Sequence, residues 1–208
     1  MKSKSIKVLI ADDHAVVRAG LSTLLGTESD MEVVAQAKNG REAVAMAIET
    51  QPDVIIMDLR MPEMDGAEAT AEIQRQLPKI RILVLTSFGE ADGVAHALES
   101  GAAGAITKST EDAELVSVVR HVATGRKYVS PEIKKLLHDD PPVPKLTSRQ
   151  GEILGYMIKG LTNRDIAALL SIHEDTVEEH VSLILAKIGA TNRTEAISIA
   201  LRKQLMKI

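Results

Sequence analysis

Asp12 and Asp13 end the first apolar run of this 208-residue chain, Asp58 ends the third, Thr86 ends the fourth, and Lys108 follows the fifth. If those runs are parallel strands of one open sheet, their carboxyl ends share an edge, where ligands of such sheets bind. Three carboxylates crowded into a crevice repel one another unless a cation sits among them. Hard oxygen donors in small number suit Mg2+, which keeps several waters. A carboxylate can also act as a nucleophile and form an aspartyl phosphate. Asp58, at the end of the central run, is the candidate phosphoacceptor. Asp12 and Asp13 are candidate metal ligands beside Asp58 itself, and the Arg60 backbone carbonyl is a further protein contact. Lys108 and the Thr86 hydroxyl are placed to contact phosphoryl oxygens.

The elements that must position these groups are legible in the pattern. The apolar runs Ile6–Ala11, Val33–Ala37, Val54–Met57, Ile82–Leu85 and Gly104–Ile106 are rich in Val and Ile, as strands buried on both faces are. Amphipathic segments at about 16–25, 40–49, 66–76, 92–99 and 112–124 separate and follow them. Repeated β–α alternation predicts an α/β, doubly wound parallel sheet. Residues 1–125 form this first domain, and 126–146 read as a helical extension and a Pro-rich linker. The stretch from His138 through Asp139, Asp140, Pro141, Pro142 and Val143 to Pro144 carries the linker signal, because prolines stop both helix and sheet.

Residues 147–208 show no strand pattern and predict a second, all-α domain. Three helix starts look like capping boxes: Thr147 with Gln150, Thr162 with Asp165, and Asn192 with Glu195. A fourth helix is expected over Glu174–Ile188. Net charge is −6 over residues 1–144 and +2 over 145–208, so the two parts suit different partners. Aromatics are 1% of the chain and Trp is absent, which argues against a base-stacking single-strand binder. No Cys is present, which excludes disulfides and thiolate metal sites and fits a reducing cytosol. The N-terminus leads into a run too short for a signal peptide, and no apolar stretch approaches the roughly 20 residues of a membrane span. A cytoplasmic protein with no membrane partner is expected.

Residues 1–125 resemble the receiver domain of bacterial response regulators. The likeness rests on Asp12-Asp13-His14 after Val8–Ala11, on the run from Asp58 to Gly66 (Asp-Leu-Arg-Met-Pro-Glu-Met-Asp-Gly), on Thr86-Ser87 and on Lys108. It implies a flavodoxin-like fold, phosphotransfer from a sensor histidine kinase, Mg2+ dependence and slow self-dephosphorylation. Two positions depart from the pattern. Ala105 stands where many receivers carry an aromatic, and Ser109 where many carry proline, which leaves Thr86 as the switch residue.

Residues 145–208 resemble the LuxR-type helix-turn-helix domain through Leu146–Gln150, Gly160–Ala167, Thr176-Val177, His180-Val181, Lys187–Gly189 and Asn192–Ala196. Together the two parts resemble a regulator of the NarL/FixJ type. The likeness implies double-stranded DNA as partner and a homodimer when phosphorylated. Helix Asn163–Leu170 would be the scaffold, and Glu174–Ile188 the recognition helix in the major groove. Candidate DNA contacts are Thr176, Glu178, Glu179, Ser182, Lys187, Asn192 and Arg193, with Lys159 as another phosphate contact. Ala196, Ile199, Ala200 and Lys203 on the last helix are candidates for dimerisation. Glu178 and Glu179 stand where relatives carry Lys or Arg, and they oppose the phosphate backbone. His173 and His180 are expected to cap or pack. The acids keep open a phosphoreceiver adapter whose second domain binds protein. A small phosphatase using Asp58 would lack a separate general acid.

Overall fold

The computed structural model describes residues 5–87, 90–142, 146–203 and 205. It divides into two compact units, Met1–Pro142 and Val143–Ile208.

In the first unit, β1 (Ile6–Ala11), β2 (Met31–Ala37), β3 (Val54–Asp58), β4 (Arg81–Thr86), β5 (Gly104–Thr107) and β6 (Tyr128–Val129) form one parallel sheet in the order β2-β1-β3-β4-β5-β6. The helices α1 (Ala15–Gly26), α2 (Gly40–Thr50), α3 (Gly66–Gln76), α4 (Ala91–Glu99), α5 (Asp112–Ala123) and α6 (Pro131–Asp139) cover it. Alternation along the strands sorts the core into layers. Val8, Ile10, Ile56 and Leu83 pack with Leu25 of α1 and Leu115 and Val119 of α5. Leu9, Ala11, Ile55 and Met57 pack with Ala43 and Ala47 of α2 and Ala69 and Ile73 of α3. Each such Val, Leu or Ile contributes about 1.5–3 kcal/mol of burial, which outweighs local propensity. The core is almost wholly aliphatic.

Residues 126–142, expected as a helical extension running into a linker, hold a short strand before the helix. β6 pairs with β5 through Gly104 and Ala105, and α6 sets Ile133 into a buried cluster with Leu59, Val84, Val94, Ala97 and Ala105. Two residues set where the helix starts. Ser130 caps α6 by accepting from the Ile133 N–H, and Pro131 opens the helix where its missing donor costs nothing. His138 and Asp139 are the end of α6, so they are helix and not linker. Val143 and Pro144 of the expected linker lie outside the described residues.

The second unit consists of α7 (Ser148–Ile158), α8 (Asn163–Leu170), α9 (Glu174–Ile188) and α10 (Arg193–Arg202). Ile153, Leu154, Met157, Ile166, Val177, Ile184 and Ile188 form its centre. The capping boxes at Thr147 and Thr162 are present with both reciprocal bonds. The third is only half a box. Asn192 accepts from the Glu195 N–H, but Glu195 turns its carboxylate to the N–H and hydroxyl of Thr191. Gly189 ends α9 in the left-handed conformation, at φ 71°.

Ala196 and Ala200, expected at a dimer face, are instead 0% and 1% exposed in this core. The face of α10 that carries them is already spent on α7 and α9, and Ile199 is half-buried against the same cluster.

One glycine governs how β3 meets α3. A methyl group on Gly66 would lie 2.0 Å from the Asp58 carbonyl oxygen, and the Gly66 N–H donates to the Leu59 carbonyl at 2.9 Å. Gly66→Ala is therefore expected to destabilise the protein by at least about 1–3 kcal/mol through overpacking against backbone. It should also lower phosphoryl uptake, because the displaced backbone is that of Asp58. Denaturant unfolding together with an acetyl phosphate assay checks both effects.

Candidate functional site

The carboxyl ends of β1, β3, β4 and β5 bring Asp12, Asp13, Asp58, Thr86 and Lys108 to one edge of the sheet, at the β1/β3 position where strand order reverses. Asp12 is 1% exposed and Asp58 3%. Lys108 reaches across from the β5 end, with Nζ 2.8 Å from Asp12 Oδ2 and 3.0 Å from Asp58 Oδ1. Its backbone N–H donates to the Thr86 carbonyl, which fixes the loop that carries it. Asp12 is held in turn: its Oδ1 accepts from the His14 N–H at 2.8 Å, and its carbonyl accepts from Arg18 at 2.7 Å.

One ammonium does not balance these acids. Burial is the largest influence on Asp58 and raises its pKa from 3.8 to about 6; Lys108 pulls it down, while Asp12 and Glu90 push it up. For Lys108, burial acts to lower the pKa, but the bonds to Asp12 and Asp58 outweigh it and the net direction is upward. The donor set fits a hard cation. Asp12, Asp13, His14 and Asp58 each offer a ligand atom, and all four atoms lie within 4.8 Å of one another.

His14 is the member that sequence reasoning missed. Its Nδ1 lies 2.7 Å from Asp13 Oδ1 and 3.4 Å from Asp12 Oδ1. Its position directly after two aspartates at a strand end was the available signal. Glu90 was missed as well. It is a buried acid in the β4–α4 connection that accepts from the Thr86 hydroxyl and pairs with Arg60. The Arg60 side chain thus points to Glu90, while the expectation concerned its backbone carbonyl.

In the second unit, α8, the turn at Ser171 and α9 form the helix-turn-helix pair. Glu178, Glu179 and Ser182 lie exposed along α9, and Thr176 is half-buried. His173 caps α9, with Nδ1 accepting from the Asp175 N–H at 3.4 Å. His180 packs into the domain, and its Nδ1 is buried with no hydrogen-bond partner among the described residues. Two expected phosphate-binding cations are engaged inside the unit. Lys187 Nζ donates to Gln150 at 3.0 Å, and Arg193 donates to Asn163 and to the Leu161 carbonyl, tying α10 to the start of α8. Lys159 lies over the Tyr156 ring at 5.8 Å. Asn192 is committed to capping α10.

Comparison with known proteins gives the same two parts. The response regulator receiver domain matches residues 8–120, and the family of bacterial regulatory proteins of the luxR type matches 144–200. The response regulator protein VraR of Staphylococcus aureus is 40% identical over 208 residues, covering 98% of this chain and 100% of its own length. The crystal structure of the response regulator ChrA, from a heme-sensing two-component system, is 34% identical, with a TM-score of 0.60 over 98% of this chain and 100% of that one. RcsB, seen as two dimers on two parallel DNAs, shares the fold at 22% identity, with a TM-score of 0.66 over 96% of this chain and 99% of that one. The luxR-type match favours the DNA-binding reading of the second unit over the protein-binding adapter.

The Asp58 shift makes a prediction. The folded protein binds a proton at Asp58 that the unfolded chain releases, so the stability from the neutral form is present below 3.8 and lost as pH rises through about 6. Without divalent cations, Asp58→Asn should therefore be more stable than the wild type by about 1–3 kcal/mol at pH 7.5 and nearly equal to it at pH 4. Urea unfolding at the two pH values in EDTA measures the difference.

Two matched domains and a full-length relative at 40% identity establish that the chain belongs to the response-regulator family, a receiver domain joined to a LuxR-type helix-turn-helix DNA-binding domain.

Proposed function

We propose that this regulator takes a phosphoryl group on Asp58 from a phosphohistidine of a sensor kinase and that the modification controls binding of its second domain to promoter DNA. The observation that carries the reading is the buried Asp12–Lys108–Asp58 bridge, with Asp13 and His14 at its rim. Phosphorylation forms a bond from an Asp58 carboxylate oxygen to phosphorus as the donor's bond to phosphorus breaks. Lys108, which bridges Asp12 and Asp58, would neutralise charge on the transferring oxygens. Asp12, Asp13 and Asp58, with the Arg60 carbonyl, would hold Mg2+, which supplies charge neutralisation to the transferring group when bound. Thr86 supplies a hydroxyl to the product phosphoryl. No turnover of an external substrate is expected beyond slow self-dephosphorylation.

The protein acts in the cytoplasm, where both kinase output and duplex DNA are available. No helix among the described residues is long and apolar enough to cross a membrane. Phosphorylation is read as promoting a homodimer. The Ala196 and Ala200 side chains do not serve it, since they lie in the domain core.

Intact mass spectrometry after incubation with acetyl phosphate and Mg2+ tests the acceptor. One phosphoryl adduct is expected in the wild type, with none in Asp58→Asn and little in EDTA. An adduct that survives in Asp58→Asn contradicts the assignment. On the DNA side, the exposed Glu178 opposes the phosphate backbone. Glu178→Lys is expected to tighten binding to many duplexes and to steepen its salt dependence by about one unit. Glutamate can also accept from the cytosine amino group. Weaker binding to a selected site, with gain on random DNA, would make Glu178 a base reader instead. Titrations on both duplexes at two salt concentrations separate the two.

A further inference from the structure

Glu90 is a buried acid in the β4–α4 connection. It precedes α4 yet its side chain makes no capping bond to that helix. It is 8% exposed, and its carboxylate gathers three groups: the Thr86 hydroxyl, the Ser87 N–H at 3.1 Å and the Arg60 guanidinium. Thr86 ends β4 and Arg60 lies two residues past Asp58, so both sit beside the phosphoacceptor edge. A hydroxyl has one proton to donate. While that proton is directed to Glu90, Thr86 cannot give it to a phosphoryl oxygen. The guanidinium is committed to the same carboxylate.

We propose that Glu90 is a positioning residue that holds Thr86 and Arg60 in the unphosphorylated protein and yields both when Asp58 carries a phosphoryl group. The proposal rests on the reading of Asp58 as phosphoacceptor. A phosphoryl group carries up to about two negative charges and three acceptor oxygens, so it competes with one carboxylate for the same donors. By linkage, whatever strengthens the hold of Glu90 weakens phosphoryl binding, and the reverse. The grip also ties the site to its neighbours. The residue after Asp58, Leu59, packs against Gly93 of α4, and the same cluster contains Val94, Ala97 and Ile133 of α6. Release of Glu90 would loosen the start of α4, next to this cluster.

The test uses beryllium fluoride with Mg2+ as the phosphoryl mimic, and calorimetric titration of the full chain. Glu90→Gln keeps the shape but weakens both bonds, and it also removes a charge near the anion, so a double-mutant cycle with Thr86→Ala is needed. Glu90→Gln should tighten binding by about tenfold with Thr86 present and by only about twofold in the Thr86→Ala background. An equal gain in both backgrounds reduces the effect to charge removal and overturns the proposal. So does unchanged or weaker binding by a Glu90→Gln protein that melts with the wild type. If Glu90→Gln does not fold, Glu90→Asp replaces it; it retains the charge but is too short to hold both partners, and the same comparison of backgrounds decides. A wild type that does not bind the mimic, or an Asp58→Asn protein that binds equally well, would instead refute the phosphoacceptor reading itself.

Discussion

Much of the first domain is organised around a shortage of positive charge. Three carboxylates stand at the carboxyl ends of β1 and β3, two of them buried, and one ammonium, Lys108, reaches Asp12 and Asp58. Burying ionised groups is costly unless each is paired. The surroundings hold the imbalance in place. The Arg18 side chain and the His14 N–H fix Asp12, the Lys108 N–H bonds to the end of β4, and Gly66 lets α3 press against the Asp58 carbonyl. Burial first, and the neighbouring acids after it, raise the Asp58 pKa to about 6 against the pull of Lys108.

That local tension has a route outward. Leu59 directly follows Asp58 and belongs to the cluster that contains α4 and α6, while Thr86 and Arg60 share Glu90 in the β4–α4 connection. Ala105 takes on meaning here. Its small side chain lies in the same buried cluster as Ile133 of α6, at the position where many receivers carry an aromatic ring. The departure noted in the sequence is matched by the added helix.

Fold class and acceptor site were largely legible in the sequence because strongly patterned features carry them. Continuous Val/Ile runs gave the strands, and acidic residues at run ends gave the site edge. What was missed has physical reasons. β6 is two residues long, below any periodic signal, and α6 is announced only by Ser130-Pro131. Nothing in the sequence marks Glu90, because its partners Thr86 and Arg60 reach it only in the fold. Ala196 and Ala200 were misread because an apolar helix stripe looks the same whether it meets its own domain or a partner. Lys187 and Arg193 are candidate phosphate contacts, and the sequence does not reveal that Gln150, Asn163 and the Leu161 carbonyl lie within their reach.

The most direct test is to follow the Asp58 carboxyl carbon by nuclear magnetic resonance through a pH titration, with and without Mg2+, assigning the signal by its loss in Asp58→Asn. The charge-shortage account predicts a midpoint at about 6 in EDTA, with a clear downward move when Mg2+ is added. A midpoint near the ordinary aspartate value of about 4 in both conditions would contradict it.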